Sequence, residues 1–237
     1  MATLRLRAHA KVNLVLRVVG RRDDGYHDVE TVLHSIDFAD YIELSGRAEG
    51  FEFSVQQLGP LGDARIEPLG NDDASRMSVD AEGLSAIPVD QNIVLRAAQA
   101  LEHAVDKKLP TEIRLGKRIP VGGGMGGGSA DAVATLLGLR KLHDIEVSDA
   151  AVMEIAARLG ADVPFFLHGG TVLATGIGEK LERLTDPPRL WFVLGISKRP
   201  LWTKDVYAAW DEIAQGDSPS VKTMIDALAS GEVSEIG

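Results

Sequence analysis

The chain has 237 residues, of which 45% are apolar and 25% charged, the balance of a globular protein with one large domain or two small ones. Its 25 Lys and Arg against 35 Asp and Glu give a net charge of −10, so any anion must be bound by a local device rather than by the overall field. There is no Cys and no apolar run of about 18 residues, which excludes disulfides, thiolate metal sites and membrane-spanning helices. We therefore expect a cytoplasmic protein whose partners are neither nucleic acids nor membranes.

The apolar pattern divides the chain into a strand-rich start and a later mixture of helices and strands. Extended runs are predicted over 3–19, as two strands or one long bent strand, and over 29–36, 41–44 and 51–55. Residues 57–90, rich in Gly, Pro, Asp and Ser, are predicted to form a long surface excursion. Helical spacing and further apolar runs predict helices over 92–105, 129–143, 149–159, 203–213 and 221–228, and strands over 111–115, 171–174 and 190–196. Because strands and helices do not alternate as βαβ units, the order favours an α+β fold.

A glycine cluster follows the strand predicted at 111–115, and six of the seven residues 122–128 are Gly. Glycine in such density costs backbone entropy, but it lets successive N–H groups approach one anion closely. Ser129 is predicted to cap the helix that follows, whose N-terminus adds further donors and the positive end of its dipole. The predicted phosphate-binding residues are Pro120, Val121, Gly122, Gly123, Gly124, Met125, Gly126, Gly127, Gly128, Ser129 and Ala130.

Two familiar nucleotide motifs do not fit this cluster. No Lys-Ser or Lys-Thr follows it, so it is not a Walker A loop. A dinucleotide site needs an acidic residue at the end of the next strand, whereas the next acidic residues lie in a polar link before another helix. A flexible linker remains an alternative, but it is disfavoured by the strand before the cluster and the helix after it.

Four segments together resemble the GHMP kinase superfamily, and most closely its 4-diphosphocytidyl-2-C-methyl-D-erythritol kinases. They are the Ala-Lys-Val-Asn-Leu run at 10–14, the turn at 20–27 ending Asp-Gly-Tyr-His, the glycine cluster at 120–131, and Gly-Ala-Asp-Val-Pro at 160–164. The resemblance implies a two-lobed fold. Residues 1–167 would form an N-terminal lobe like domain 2 of ribosomal protein S5, and residues 168–237 an incomplete ferredoxin-like lobe.

The chain departs from that family in two places. Residues 46–90 are longer than the resemblance leads us to expect. The family also carries a second glycine-rich loop beside the phosphates, and no such run follows Ile196. The resemblance therefore implies a C-terminally truncated chain that stops in the middle of an element.

The resemblance assigns the phosphoryl-transfer chemistry to Lys11 and Asp162. Asp162 would be the base that accepts the proton of the acceptor hydroxyl, although its position alone favours a helix cap. Lys11 would keep that carboxylate ionised and orient it, although a strand lysine ordinarily points to solvent. Asn13 lies on the same strand face as Lys11 and would position the acceptor, or else cap backbone at a bulge.

Further residues have a binding role and a structural alternative. The resemblance places Tyr26 and His27 at the cytidine end of the substrate, whereas their position alone is also that of exposed turn residues. Asn92 would face the nucleotide or simply cap its helix, and Ser129 would cap a helix with or without contacting phosphate. The other histidines lack metal-ligand spacing, so we predict no structural metal; Mg²⁺ is implied only by the polyphosphate.

The resemblance thus implies an enzyme that uses ATP to phosphorylate the 2-hydroxyl of 4-diphosphocytidyl-2-C-methyl-D-erythritol in the non-mevalonate isoprenoid pathway. One alternative is another GHMP kinase, such as a homoserine or mevalonate kinase, against which the Asp-Gly-Tyr-His turn argues. Another is a truncated nucleotide-binding module without full activity. ATP and one small molecule are the expected partners, and the sequence leaves the oligomeric state open.

Overall fold

The structure, a computed structural model, describes residues 2–58, 92–197, 201–213 and 219–231. Its strands are β1 (Thr3–Arg21), β2 (His27–Gly46), β3 (Phe51–Gln57), β4 (Thr111–Lys117), β5 (Thr171–Gly176) and β6 (Lys180–Arg183). Its helices are α1 (Ile93–Val105), α2 (Gly127–Leu142), α3 (Asp149–Leu159), α4 (Val163–His168), α5 (Thr203–Glu212) and α6 (Val221–Ser230). The predicted α+β class is confirmed.

The sheet is organised around β2. Strand β1 runs antiparallel along nearly its whole length, while the opposite edge of β2 pairs with β4 over residues 41–46 and with β5 over residues 29–34. Strand β3 lies parallel to β4, and β6 extends the sheet beyond β5. The register between β1 and β2 shifts between His9 and Lys11, and a bulge of this kind re-aims the side chains that follow it.

The main core lies between the sheet and the first three helices. Helix α2 comes so close to the sheet that a Cβ at Gly138 would overlap Leu44 and lie 2.9 Å from Leu6. The side chains of Leu101, Leu136 and Ile155 are at most 1% exposed. The helices therefore form one layer on one face of the sheet, and this layer fixes where the N-terminal end of α2 lies.

Several predicted elements change at their boundaries. The run 3–19 is one long bent strand, whereas the runs predicted separately at 29–36 and 41–44 join into the single strand β2. The surface excursion was predicted to begin at residue 57, but Gln57 ends β3 and Leu58 is buried, its amide bonded to the Lys117 carbonyl. Residues 59–90 of that excursion lie outside the described residues.

The strand predicted over 190–196 is wrong, because the structure shows irregular backbone there. The described residues pair no strand with this segment, and its apolar side chains are not buried: Trp191 is 87% exposed. The helices predicted after it are present as α5 and α6. Helix α6 packs Val221 and Leu228 against Val15 and Val32 of the first two strands. The proposed lobe boundary at residue 167 stays a prediction.

Candidate active site

A cleft of about 1430 Å³ opens where the glycine loop, strand β1 and the α3–α4 connection meet. Its walls include Lys11 and Asp162 and every residue of 120–129. Asn13, Tyr26, His27 and Asn92 also line it, so the fold gathers side chains from distant parts of the sequence into one cavity. The exception among the predicted site residues is Ala130, which is 3% exposed and packs into the main core.

The glycine loop needs its glycines for conformation and for space. Gly122, Gly124 and Gly126 have φ of 69°, 70° and 67°, the left-handed region that side chains disfavour. A Cβ at Gly126 would lie 2.5 Å from the Phe166 ring and 3.3 Å from Cγ of Lys11. The loop therefore packs directly against both α4 and the Lys11 side chain.

Helix α2 begins at Gly127, with Gly126 as its N-cap, so the prediction that Ser129 caps this helix is wrong. The left-handed Gly126 turns the chain into the helix, so the cap lies three residues, and the helix begins two residues, before the positions that the sequence pattern indicates. The first i→i−4 bond of the helix is made by the amide of Ala130, at 2.9 Å to the Gly126 carbonyl. The amides of Gly127, Gly128 and Ser129 precede it, which makes them available to an anion in the cleft.

Lys11 is a buried cation on the floor of the cleft, not a solvent-facing strand lysine. Its Nζ donates a 2.8 Å hydrogen bond to Oδ1 of Asn13, and Nδ2 of Asn13 donates at 2.8 Å to Oγ1 of Thr31. Burial lowers the pKa of Lys11, and the nearby Asp162 carboxylate counters that effect. The bulge before Lys11 and the chain of hydrogen bonds after it thus aim an ammonium at one place in the cleft.

Asp162 occupies the N-cap position of α4, yet its side chain makes no capping hydrogen bond. Pro164 lies in the first turn of that helix, where its missing N–H is not needed. The residue is exposed, lines the cleft, and acts electrostatically on Lys11 and on Tyr207. The carboxylate therefore lies at the cleft surface, and among the described residues it does not cap the helix that it precedes.

Comparison with known proteins identifies the family. The family described as the GHMP kinases N terminal domain matches residues 92–170. The 4-diphosphocytidyl-2-C-methyl-D-erythritol kinase of Exiguobacterium sibiricum is 37% identical over 234 residues, which cover 99% of this chain and 73% of that protein. This chain belongs to the 4-diphosphocytidyl-2-C-methyl-D-erythritol kinase family. The resemblance inferred from the four sequence segments is confirmed.

Two further comparisons agree with membership of this kinase family. The Nocardia farcinica enzyme of the same name is 38% identical over 236 residues, covering 98% of this chain and 69% of that one. A crystal structure of 4-(cytidine 5'-diphospho)-2C-methyl-D-erythritol kinase superposes with a TM-score of 0.65 at 30% identity, covering 97% of this chain and 72% of that one. Mevalonate kinase of L. major, at 16% identity and a TM-score of 0.61, shares the fold.

At the other end of the cleft, this member of the family has an aromatic wall. The His27 ring stacks on Tyr207 with centroids 4.8 Å apart and an interplanar angle of 14°. Nε2 of His27 lies 2.7 Å from Oδ1 of Asp211, and Asp211 also pairs with Arg21. Tyr26, in contrast, is 61% exposed. The His27 ring is therefore held between β2 and α5, whereas the Tyr26 ring is largely exposed at the cleft wall.

Asn92 lines the cleft, and its side chain caps α1, because its Oδ1 accepts a 2.9 Å hydrogen bond from the amide of Val94. The structural alternative given for this residue is therefore correct as far as the carbonyl oxygen is concerned. Phe165 is fully buried in the core, and Trp202 lines the cleft wall.

Two groups of cleft residues escaped the sequence analysis. One is the face of α5 that carries Tyr207 and Asp211, whose partners His27 and Arg21 lie 180 to 190 residues earlier in the chain. The other is a buried ionic cluster of Asp40, Lys117 and Asp131 under the glycine loop. The sequence does hold a signal for this cluster. Lys117 ends an apolar strand and Asp131 lies in an apolar helix, and burying either charge costs free energy unless it is paired.

The described residues contain no group of three His, Asp or Glu side chains that could hold a metal ion, and in them no helix is long and apolar enough to cross a membrane.

Proposed function

We propose that the chain transfers the γ-phosphoryl group of ATP to the 2-hydroxyl of 4-diphosphocytidyl-2-C-methyl-D-erythritol. The observation that carries the proposal is the meeting of the glycine loop, Lys11 and Asp162 in one cleft. Phosphoryl transfer needs bound phosphates, an acceptor oxygen in line with phosphorus and a group to take its proton. Each of these needs has a candidate within this cavity.

The phosphates would be held by backbone rather than by surface charge. Amides at the start of α2 donate to the anion, and the positive end of the helix dipole adds to them. This arrangement explains how a chain with a net charge of −10 can bind a polyphosphate. ATP would enter as its Mg²⁺ complex, in which the ion neutralises phosphate charge.

Asp162 would accept the proton as the acceptor oxygen attacks. A bond forms between that oxygen and the γ-phosphorus, the bond from the γ-phosphorus to the β–γ bridging oxygen breaks, and ADP leaves with the electron pair. The hydroxyl proton passes to the Asp162 carboxylate. The Asp162 carboxylate favours the charged form of Lys11, and the hydrogen bond to Asn13 fixes Lys11 in position before substrate arrives.

The cytidine end of the acceptor would lie against the aromatic wall formed by Tyr26, His27 and Tyr207. Rings of this kind stack on a nucleobase, and the exposed face of Tyr26 is open to do so. The acceptor would then span the cleft, with its base at this wall and its 2-hydroxyl between Lys11 and Asp162. This binding mode favours a cytidylylated acceptor over homoserine or mevalonate, which have no base.

The test is an acceptor panel with the purified chain and ATP, in which the phosphorylated product is identified by ³¹P NMR. We expect a 2-phosphate from 4-diphosphocytidyl-2-C-methyl-D-erythritol and no product from homoserine or mevalonate. Binding of ATP without any product would instead support a nucleotide-binding module. Product from mevalonate or homoserine alone would assign the chain to another GHMP activity.

A further inference from the structure

Beneath the glycine loop lies a charged cluster that the mechanism above does not use. Nζ of Lys117 donates to Oδ2 of Asp131 at 2.8 Å and to Oδ2 of Asp40 in a short contact. The three residues are 3%, 2% and 0% exposed. A buried cluster of one ammonium and two carboxyl groups is weak evidence for stability, because desolvation offsets most of the attraction. Its position suggests another use.

The cluster joins the two ends of the glycine loop. On the entry side, Oδ1 of Asp40 accepts hydrogen bonds from the amides of Arg118 and Ile119, the residues that lead into Pro120. On the exit side, Asp131 is the fifth residue of α2. Lys117 bonds to both carboxylates, so it holds the strand end that enters the loop against the helix that leaves it.

The cation also lies directly behind the phosphate-facing backbone. A Cβ at Gly127 would lie 3.1 Å from Nζ of Lys117, so the ammonium contacts the first residue of α2. Lys117 and Asp131 both reach the wall of the cleft. Oδ1 of Asp131 is buried and has no hydrogen-bond partner among the described residues. The cluster is therefore buried but borders the cleft, and one of its carboxyl oxygens accepts no hydrogen bond from the described residues.

We propose that Lys117 is a positioning residue for the nucleotide phosphates, acting through Asp40 and Asp131. It fixes the spacing of the loop ends, and its charge sets the potential behind the loop amides. This inference rests on the proposed function in that the loop must bind ATP. It predicts an effect that depends on the phosphates of the ligand and not on its nucleoside.

The experiment measures dissociation constants of adenosine, ADP and ATP by calorimetry, without acceptor. Lys117→Met keeps the length of the side chain but removes its charge, and we expect it to weaken ADP and ATP about tenfold or more while adenosine changes less than about twofold. The matched control is Lys141→Met, which removes the same charge from an exposed position in the last turn of α2. It should change none of the three constants by more than about twofold.

A second variant tests the same claim with the opposite sign. Asp131→Asn retains an oxygen for Lys117 but removes the negative charge that the Asp131 carboxyl carries at pH 9. At that pH the substitution should tighten ATP binding about threefold or more and leave adenosine binding unchanged. This variant decides the matter if Lys117→Met does not fold. Equal changes for adenosine and ATP, or no change, would overturn the proposal. Failure of the unmodified chain to bind ATP would instead remove the proposed function.

Discussion

The backbone N–H of Lys11 donates a 3.0 Å hydrogen bond to the carbonyl of Met125, in the middle of the glycine loop. This bond ties the strand that carries the ammonium to the loop that would hold the phosphates. Side-chain contacts reinforce it, because Gly126 packs against Lys11 on one side and Phe166 of α4 on the other. The relative positions of the loop, the cation and Asp162 therefore depend on a few close contacts.

Gly126→Ala should damage nucleotide binding through one of those contacts. The new Cβ would lie 2.5 Å from the Phe166 ring, so the loop and the ring must move apart. We expect the KM for ATP to rise about tenfold or more, as a steric shift of the donors would cause. Steady-state kinetics at saturating acceptor would measure this.

The control for that change is Gly124→Ala. Gly124 has a similar φ of 70°, but a Cβ there meets no atom within 4 Å. It should carry the conformational cost, about 1 kcal/mol, with less than about a threefold effect on the KM for ATP. Equal effects of the two substitutions would mean that strain, not the Phe166 contact, requires glycine.

The pH dependence of turnover should report Lys11. Burial lowers the pKa of its ammonium from 10.5, and Asp162 only partly restores it. If the charged form is needed, kcat falls as the pH rises through that lowered pKa. Lys11→Arg should lower kcat roughly tenfold and abolish this alkaline limb, because the guanidinium stays charged. An unchanged limb in the variant would assign it to another group.

Asp211→Ala should weaken acceptor binding selectively. The carboxylate holds His27 and Arg21, and its loss frees the His27–Tyr207 stack from its anchor. We expect the KM for the acceptor to rise about ten- to a hundredfold, the range for a lost charge-assisted hydrogen bond, with the KM for ATP unchanged. The neighbouring Glu212→Ala serves as the control. A parallel rise in both KM values would show a general disturbance of the cleft.

Asp131 should make stability depend on pH. Burial raises the pKa of its carboxyl to about 8 from 3.8, against the pull of Lys117. The stability that this group contributes is full below the unfolded pKa and is lost as the pH rises through the folded one. Asp131→Asn does not titrate, so its advantage over the unmodified chain should grow between pH 5 and 9 by on the order of a few kcal/mol.

Urea unfolding at pH 5, 7 and 9 measures that difference. The control is Asp149→Asn, at a carboxylate whose side chain is 92% exposed, and its difference from the unmodified chain should stay flat. If the Asp131→Asn difference is also flat, the carboxyl of Asp131 titrates in the ordinary acidic range.

The parts of the fold that the sequence predicts are those with strong local patterns. Helix α3 is found with its predicted bounds, because a serine cap and a glycine end delimit it. The strand predicted at 190–196 fails because strand-forming residues need a neighbour to pair with, and the described residues supply none. Strand β6 was missed because its four residues are mostly exposed and polar.

In the site, too, the features that could be predicted are those with a local pattern in the sequence. The glycine loop could be predicted because its composition is costly unless backbone conformation and space require it. The burial of Lys11 could not be predicted, because it depends on a bulge in β1 and on a loop more than a hundred residues later in the chain. The contact of His27 with Asp211, 184 residues apart, has no local signal at all.

Substitution of the predicted base tests the account most directly. In Asp162→Asn, measured with ATP and 4-diphosphocytidyl-2-C-methyl-D-erythritol, kcat should fall about 10²- to 10⁴-fold, the range expected for loss of general-base catalysis. The dissociation constant for ATP should stay within about threefold, since the amide is isosteric and lies outside the loop. Turnover close to that of the unmodified chain, with ATP binding intact, would contradict the central claim that Asp162 takes the proton in this cleft.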